Sequence, residues 1–258
     1  MNQKAGSFEQ PMDEIVRLLL RLEALFDTYK RHTRKLTEFS SGEALSTLVR
    51  LLNVTDRSDL KNKLIAQVMQ QVTGLMALKD SPLVDHKKLG TLIESIEADL
   101  VLLRGVKQSF GTDLRHNQLL NTVRGQLALP GGLLAVDTPQ FALWLQQPGP
   151  ERQAALDAWI AEFALLERVS SRLLSLLRDS SECLTCEAVR GHYEKTLDAS
   201  QPCHLVRVEL KNMPGVYPTI SVGMHRVVVS FYRVDALSQG GSQRYYEHVP
   251  FKMYLGRL

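Results

Sequence analysis

Apolar residues recur at helical spacing from the start of the chain to about residue 178 and then change to alternation. Over residues 13–36, Ile15, Leu18, Leu19, Leu22, Leu25, Phe26 and Tyr29 share one stripe, which predicts an amphipathic helix. A shorter helix is predicted over 43–54. The same period returns over 59–78 with Leu64, Ile65, Val68, Met69, Val72, Leu75 and Met76, until Pro82. Helices are predicted over 86–106, 113–126 and 138–146. A single long helix is predicted over 151–178, its stripe formed by Leu156, Trp159, Ile160, Phe163, Leu166, Leu173 and Leu177. Beyond Ser180 the period becomes two. His204–Leu210 sends Val206, Val208 and Leu210 to one face, and strands are predicted over 217–222, 225–234 and 244–254.

Residues 124–145 interrupt the helical grammar. Pro130 fixes φ and lacks an N–H, Gly131 and Gly132 accept positive φ, and a short apolar stretch follows before Thr138-Pro139 opens a new helix. The pattern predicts an α+β fold: a mainly helical domain over 12–180, then an antiparallel β domain over 181–258. Helices and strands do not alternate along the chain, which argues against a parallel, doubly wound sheet.

Composition narrows the class further. The chain has 258 residues, 44% of them hydrophobic, enough for a substantial core. Its 31 basic and 28 acidic residues leave a net charge of +3, too mild to imply nucleic acid. No apolar run reaches the ~18 residues of a membrane span, and Met1–Ser7 lacks the apolar core of a secretory signal. Three cysteines in such a chain are expected to be reduced thiols in the cytoplasm.

Catalytic signatures are missing. There is no nucleotide-binding glycine motif, no H-E-x-x-H and no G-x-S-x-G. Carboxylates such as Glu94 and Glu97 lie on polar helix faces, and no enzyme is expected. Cys183-x-x-Cys186, with His192, Cys203 and His204 downstream, contains the elements of a tetrahedral zinc site, although its second half is incomplete. Basic residues form a second group. Lys30–Lys35 carries four cations at the end of the first helix, Arg57, Lys61 and Lys63 lie close in sequence, and Arg207 and Arg226 sit on strands. An acidic peptide or protein partner would account for several of these together. Zinc and the Lys30–Lys35 run support an alternative, a zinc-containing nucleic-acid-binding regulator.

Several motifs in combination resemble the ZapD family of cell division proteins over nearly the whole chain. They are Phe8-Glu9-Gln10-Pro11, Arg21-Leu22-Glu23, Val123-Arg124 through Leu129-Pro130-Gly131-Gly132, Trp144-Leu145, Trp159-Ile160 and Tyr217–Ser221. The resemblance implies a non-enzymatic, homodimeric cytoplasmic adaptor that binds the C-terminal tail of FtsZ, the tubulin homologue of bacterial division. It would bundle FtsZ filaments and support Z-ring assembly at mid-cell. It also implies no cofactor, no nucleic acid and no membrane insertion, and it places residues 6–10 and 127–137 on the β domain's sheet. Tail recognition in the family implies a basic pocket, for which Arg57, Arg226 and Arg21 match and Lys61 and Arg207 are added candidates. Ser230, Gln118 and Ala142 depart from that basic pattern, and the cysteine set is foreign to it.

Overall fold

A computed structural model describes residues 6–82, 84–130, 132–133, 137–198, 200–223, 225–234 and 241–257. Its architecture is α+β, helical first and antiparallel afterwards. The described residues divide into two compact units, one within 19–173 and the other combining 6–18 with residues of 174–257.

In the helical unit, α1 (Glu14–His32) enters from the other unit and buries Leu19, Leu22, Phe26 and Tyr29. Helix α2 (Glu38–Thr55) is the most enclosed element, with Leu45, Leu48, Val49 and Leu51 fully buried. It begins earlier than its apolar period suggests, because Thr37 caps it by accepting from the Ser40 N–H at 3.1 Å. Helices α3 (Leu60–Met76) and α4 (His86–Gly105) pack as a pair, and α5 (Gln118–Leu127) follows a short turn of 3-10 helix over Asp113–His116.

Helix α6 (Pro139–Gln146) begins with Pro at its first position, as the Thr138-Pro139 signal predicts. Arg152 is buried near the start of α7 (Gly149–Ala161), where its guanidinium donates to Ser41 Oγ and to the carbonyls of Leu36, Leu145 and Gln147. These acceptors come from two separate stretches of chain, 36–41 and 145–147, so one side chain ties them together. The single helix expected over 151–178 is instead two, α7 and α8 (Ala164–Asp179). The break puts Phe163 in the core against Gly111, where a Cβ would lie 2.6 Å from the Phe163 ring. No glycine or proline marks the break; tertiary packing imposes it.

In the second unit, two antiparallel sheets share one core. The first has the order β1 (Ser7–Pro11), β4 (Leu205–Leu210), β8 (Val249–Gly256), β2 (Glu182–Ala188). The N-terminal segment therefore joins the sheet, Phe8 pairing with Val208. In the second sheet β6 (Arg226–Val234) is central, with β5 (Val216–Gly223) on one edge. Its other edge is divided between β3 (His192–Thr196) and the short β7 (Ser242–Arg244). Val206, Val208, Phe251 and Met253 from one sheet meet Val227, Val229 and Phe231 from the other, and the Phe231 and Phe251 rings are 5.3 Å apart. Gly191 sits where the divided edge meets: its φ is +67°, and a Cβ would lie 1.7 Å from the Tyr245 carbonyl oxygen.

The strands differ from the expected pattern in two respects. The last strand runs over β8, 249–256, with β7 separate from it, rather than continuously over 244–254. Strands β2 and β3 have no counterpart in the sequence reading. The 127–137 segment expected on the sheet lies partly outside the described residues; Leu127 ends α5, Gly132 and Leu133 belong to no strand, and Gly132 has a φ of +68°.

Candidate basic site

Asp56 closes α2, and Arg57 follows it. Arg57 lines a cavity of about 340 Å³ together with Thr55, Ser58, Leu60, Lys61 and Asn62 and with Lys107–Phe110. The walls are two short connections, the turn from α2 into α3 and the segment after α4. Their loop character leaves polar groups and cations at the rim. Arg57 Nε stands 3.4 Å from Asp59 Oδ1, and Lys63 Nζ 2.7 Å from Asp59 Oδ2. These cations hold the Asp59 carboxyl below the usual carboxylate range, the hydrogen bond from Lys63 most of all.

Lys61 has a structural task as well. Its ammonium donates to the carbonyls of Val106 and Arg104, the latter at 3.4 Å, at the C-terminus of α4 where carbonyls lack helical partners and a cation is favoured. Two arginines outside the basic-pocket candidates join this surface. Arg124 Nη2 lies 2.7 Å from Asp56 Oδ2, and Arg115 Nη1 lies 3.2 Å from Asp56 Oδ1. Arg115 also donates to the Thr55 carbonyl at 3.2 Å, on the cavity wall. The Arg124 hydrogen bond and the charge of Arg115 lower the Asp56 carboxyl's pKa. No local pattern could flag these two, because Arg115 and Asp56 are distant in sequence and only the fold brings them together.

The remaining basic candidates are distributed. Arg21 is exposed on α1. In the β unit, Arg207 lies on the outer face of β4 directly opposite Tyr254, its guanidinium 4.1 Å from the ring centroid. Tyr254 in turn donates to Glu209 at 3.0 Å, so Arg207 is seated in a cluster; burial foremost, and then that hydrogen bond, push the Tyr254 phenol up to about 12. Arg226 opens β6, is 65% exposed and lies 3.3 Å from Glu194 on β3. The Lys30–Lys35 run ends α1; Lys30 pairs with Glu167, and Arg31 donates to Thr28 Oγ1 at 2.9 Å.

The proposed zinc ligands are not brought together among the described residues, where no group of three or more His, Cys, Asp or Glu side chains is placed to hold a metal. Cys183 and Cys186 lie three apart on strand β2, so they face opposite sides, Cys183 exposed and Cys186 buried. A C-x-x-C pair converges on a metal only from a turn. Cys186 Sγ is 3.3 Å from the Tyr193 hydroxyl, and Cys203 is buried with its thiol 3.4 Å from the Leu205 carbonyl. Burial raises the Cys203 thiol's pKa, against the thiolate a metal needs. His192 pairs along β3 with Ser230, and His204 Nδ1 lies 2.6 Å from Asp13 Oδ2.

Fold and site define a two-unit α+β protein with a group of basic residues around one cavity of its helical unit. No helix among the described residues is long and apolar enough to cross a membrane. A family model, ZapD, described as a cell division protein, matches residues 20–230. The chain belongs to this family. It is 35% identical over 252 residues to the cell division protein ZapD of Coxiella burnetii, an alignment covering 98% of each chain. It is 33% identical to the ZapD of Bordetella pertussis, over 88% of this chain and 89% of that one. With the Nitrosomonas europaea ZapD the identity is 30%, over 95% of this chain and 93% of the relative.

Proposed function

We propose that this cell division protein is a non-enzymatic adaptor that binds the C-terminal tail of FtsZ and bundles FtsZ filaments at mid-cell. The observation that carries this reading is the basic surface around the Arg57 cavity, in a chain whose family is a cell division family. An acidic tail is the partner such a surface suits. Arg57, Lys61 and Arg21 are the candidate contacts in the helical unit, and Arg207 and Arg226 those in the β unit, each unit taken by itself. One exposed ion pair is worth only ~0.2–1 kcal/mol, so useful affinity requires several cations acting together.

Bundling further requires two tail sites per particle, which a two-fold homodimer supplies. Filaments display many tails, so two weak contacts gain through effective concentration. Pelleting with FtsZ filaments tests the reading. Bundles should form with full-length FtsZ and not with FtsZ lacking its tail. Arg57→Ala and Arg226→Glu should each reduce co-sedimentation while leaving thermal unfolding unchanged, and added salt should weaken it. Equal pelleting of tailless FtsZ removes the proposal.

A further inference from the structure

Asp56 is an odd residue at its position. It caps the C-terminus of α2, the end of a helix where negative charge is unfavourable. Two arginines from separate elements nevertheless converge on it, Arg115 from the turn before α5 and Arg124 from α5, each taking one carboxylate oxygen. That is the geometry in which a pair of arginines holds an acidic ligand. The group is reachable, since the Asp56 side chain is 44% exposed, Arg124 34% and Arg115 22%. It is also continuous with the cavity, through Arg57 in sequence and through the Arg115 bond to Thr55. Arg57, Lys61 and Lys107 line that cavity, and no carboxylate is among its lining residues, although Asp113 and Glu162 line the adjoining one that shares Lys107–Phe110.

We propose that Asp56 is an internal stand-in for a carboxylate of the acidic tail: it holds Arg115 and Arg124 in the unbound chain and yields them when the tail binds. The inference rests on the tail-binding reading above. It extends the surface to two arginines outside the expected set and gives it a built-in competitor. Such a competitor lowers affinity for any single acidic group and so favours a ligand presenting several, which is discrimination by an opposing contact. A purely structural Asp56, tying α2 to α5, makes the opposite prediction: its loss would cost stability and bring no gain in binding.

The test is fluorescence anisotropy of the full chain with a labelled synthetic peptide of the FtsZ C-terminal tail, together with thermal melts. Asp56→Asn keeps the shape and removes the charge; it should bind about two- to fivefold more tightly than the wild type, the equivalent of one surface pair released. Arg124→Gln should bind more weakly by a similar factor, and the double variant should lose the gain. Equal or weaker binding by Asp56→Asn overturns the inference, as does wild-type affinity in Arg124→Gln. Should Asp56→Asn fail to fold, Arg124→Gln decides alone. A wild-type chain that does not bind the peptide overturns the tail-binding reading itself, whereas a wild-type chain that binds with an unaltered Asp56→Asn overturns only the stand-in.

Discussion

Tyr29 donates its hydroxyl to the Leu156 carbonyl at 2.8 Å from a nearly buried position on α1. Burial, and secondarily the charge of Asp157, raise its pKa well above that of an ordinary phenol. The folded chain therefore holds this proton more tightly than the unfolded chain, whose phenol ionises near ~10. The stability that follows is complete below about pH 10 and is lost as pH rises from there toward the folded value. Urea unfolding between pH 9 and 11 (roughly the window set by the phenol's ordinary pKa) should show that loss. Tyr29→Phe should flatten it and lower stability at neutral pH by about 1 kcal/mol, the worth of one hydrogen bond. Tyr193 and Tyr254, each pushed up to about 12 with burial the largest cause, leave a residual slope in the variant.

Between elements, the clearest polar joint is Asp99 of α4 with two arginines one turn apart on α8. Its carboxylate is buried, with Arg168 Nε at 2.8 Å and Arg172 Nη1 at 2.5 Å. Arg172 also donates to the Ser95 carbonyl at 2.6 Å, so the joint binds side chain and backbone. Asp99→Ala would strand both cations; because each arginine retains some solvent contact, the expected loss is about 2–3 kcal/mol, at or below the buried-pair range. Equilibrium denaturation of the helical unit measures it.

The helices were legible because their apolar stripes are wide and their ends carry signals such as Thr138-Pro139. The break at Phe163 was not, since it depends on contact with Gly111, far away in sequence. Strand β2 was hidden by a competing reading. Leu184, Cys186 and Ala188 alternate inward with Cys183, Thr185 and Glu187, yet the cysteines drew attention to a metal spacing rather than to a period of two. In the basic site, Arg57 and Lys61 could be picked out by type and spacing. Arg115 and Arg124 could not, because an arginine's partner is set by the fold.

At the scale of the whole molecule, the proposed bundling depends on stoichiometry. Equilibrium sedimentation at micromolar concentration should return a dimer, and a monomer under those conditions would remove the bridging mechanism. The exposed side chains of Val101 and Leu102 on α4 and Met69 and Met76 on α3 belong to one packed helix pair, and variants there are a direct place to seek an effect on that equilibrium.

Strand order in the first sheet also sets a sequence of events during synthesis. The central positions belong to β4 and β8, and β8 comes after the other three in chain order. Until it emerges, β2 lacks its pairing partner in the sheet, and β1 and β4 form a two-stranded ribbon that is marginal in water. Helices α2 to α7, by contrast, are complete long before. The nascent chain thus carries its helices ahead of β strands that must wait for β8 before the first sheet can close.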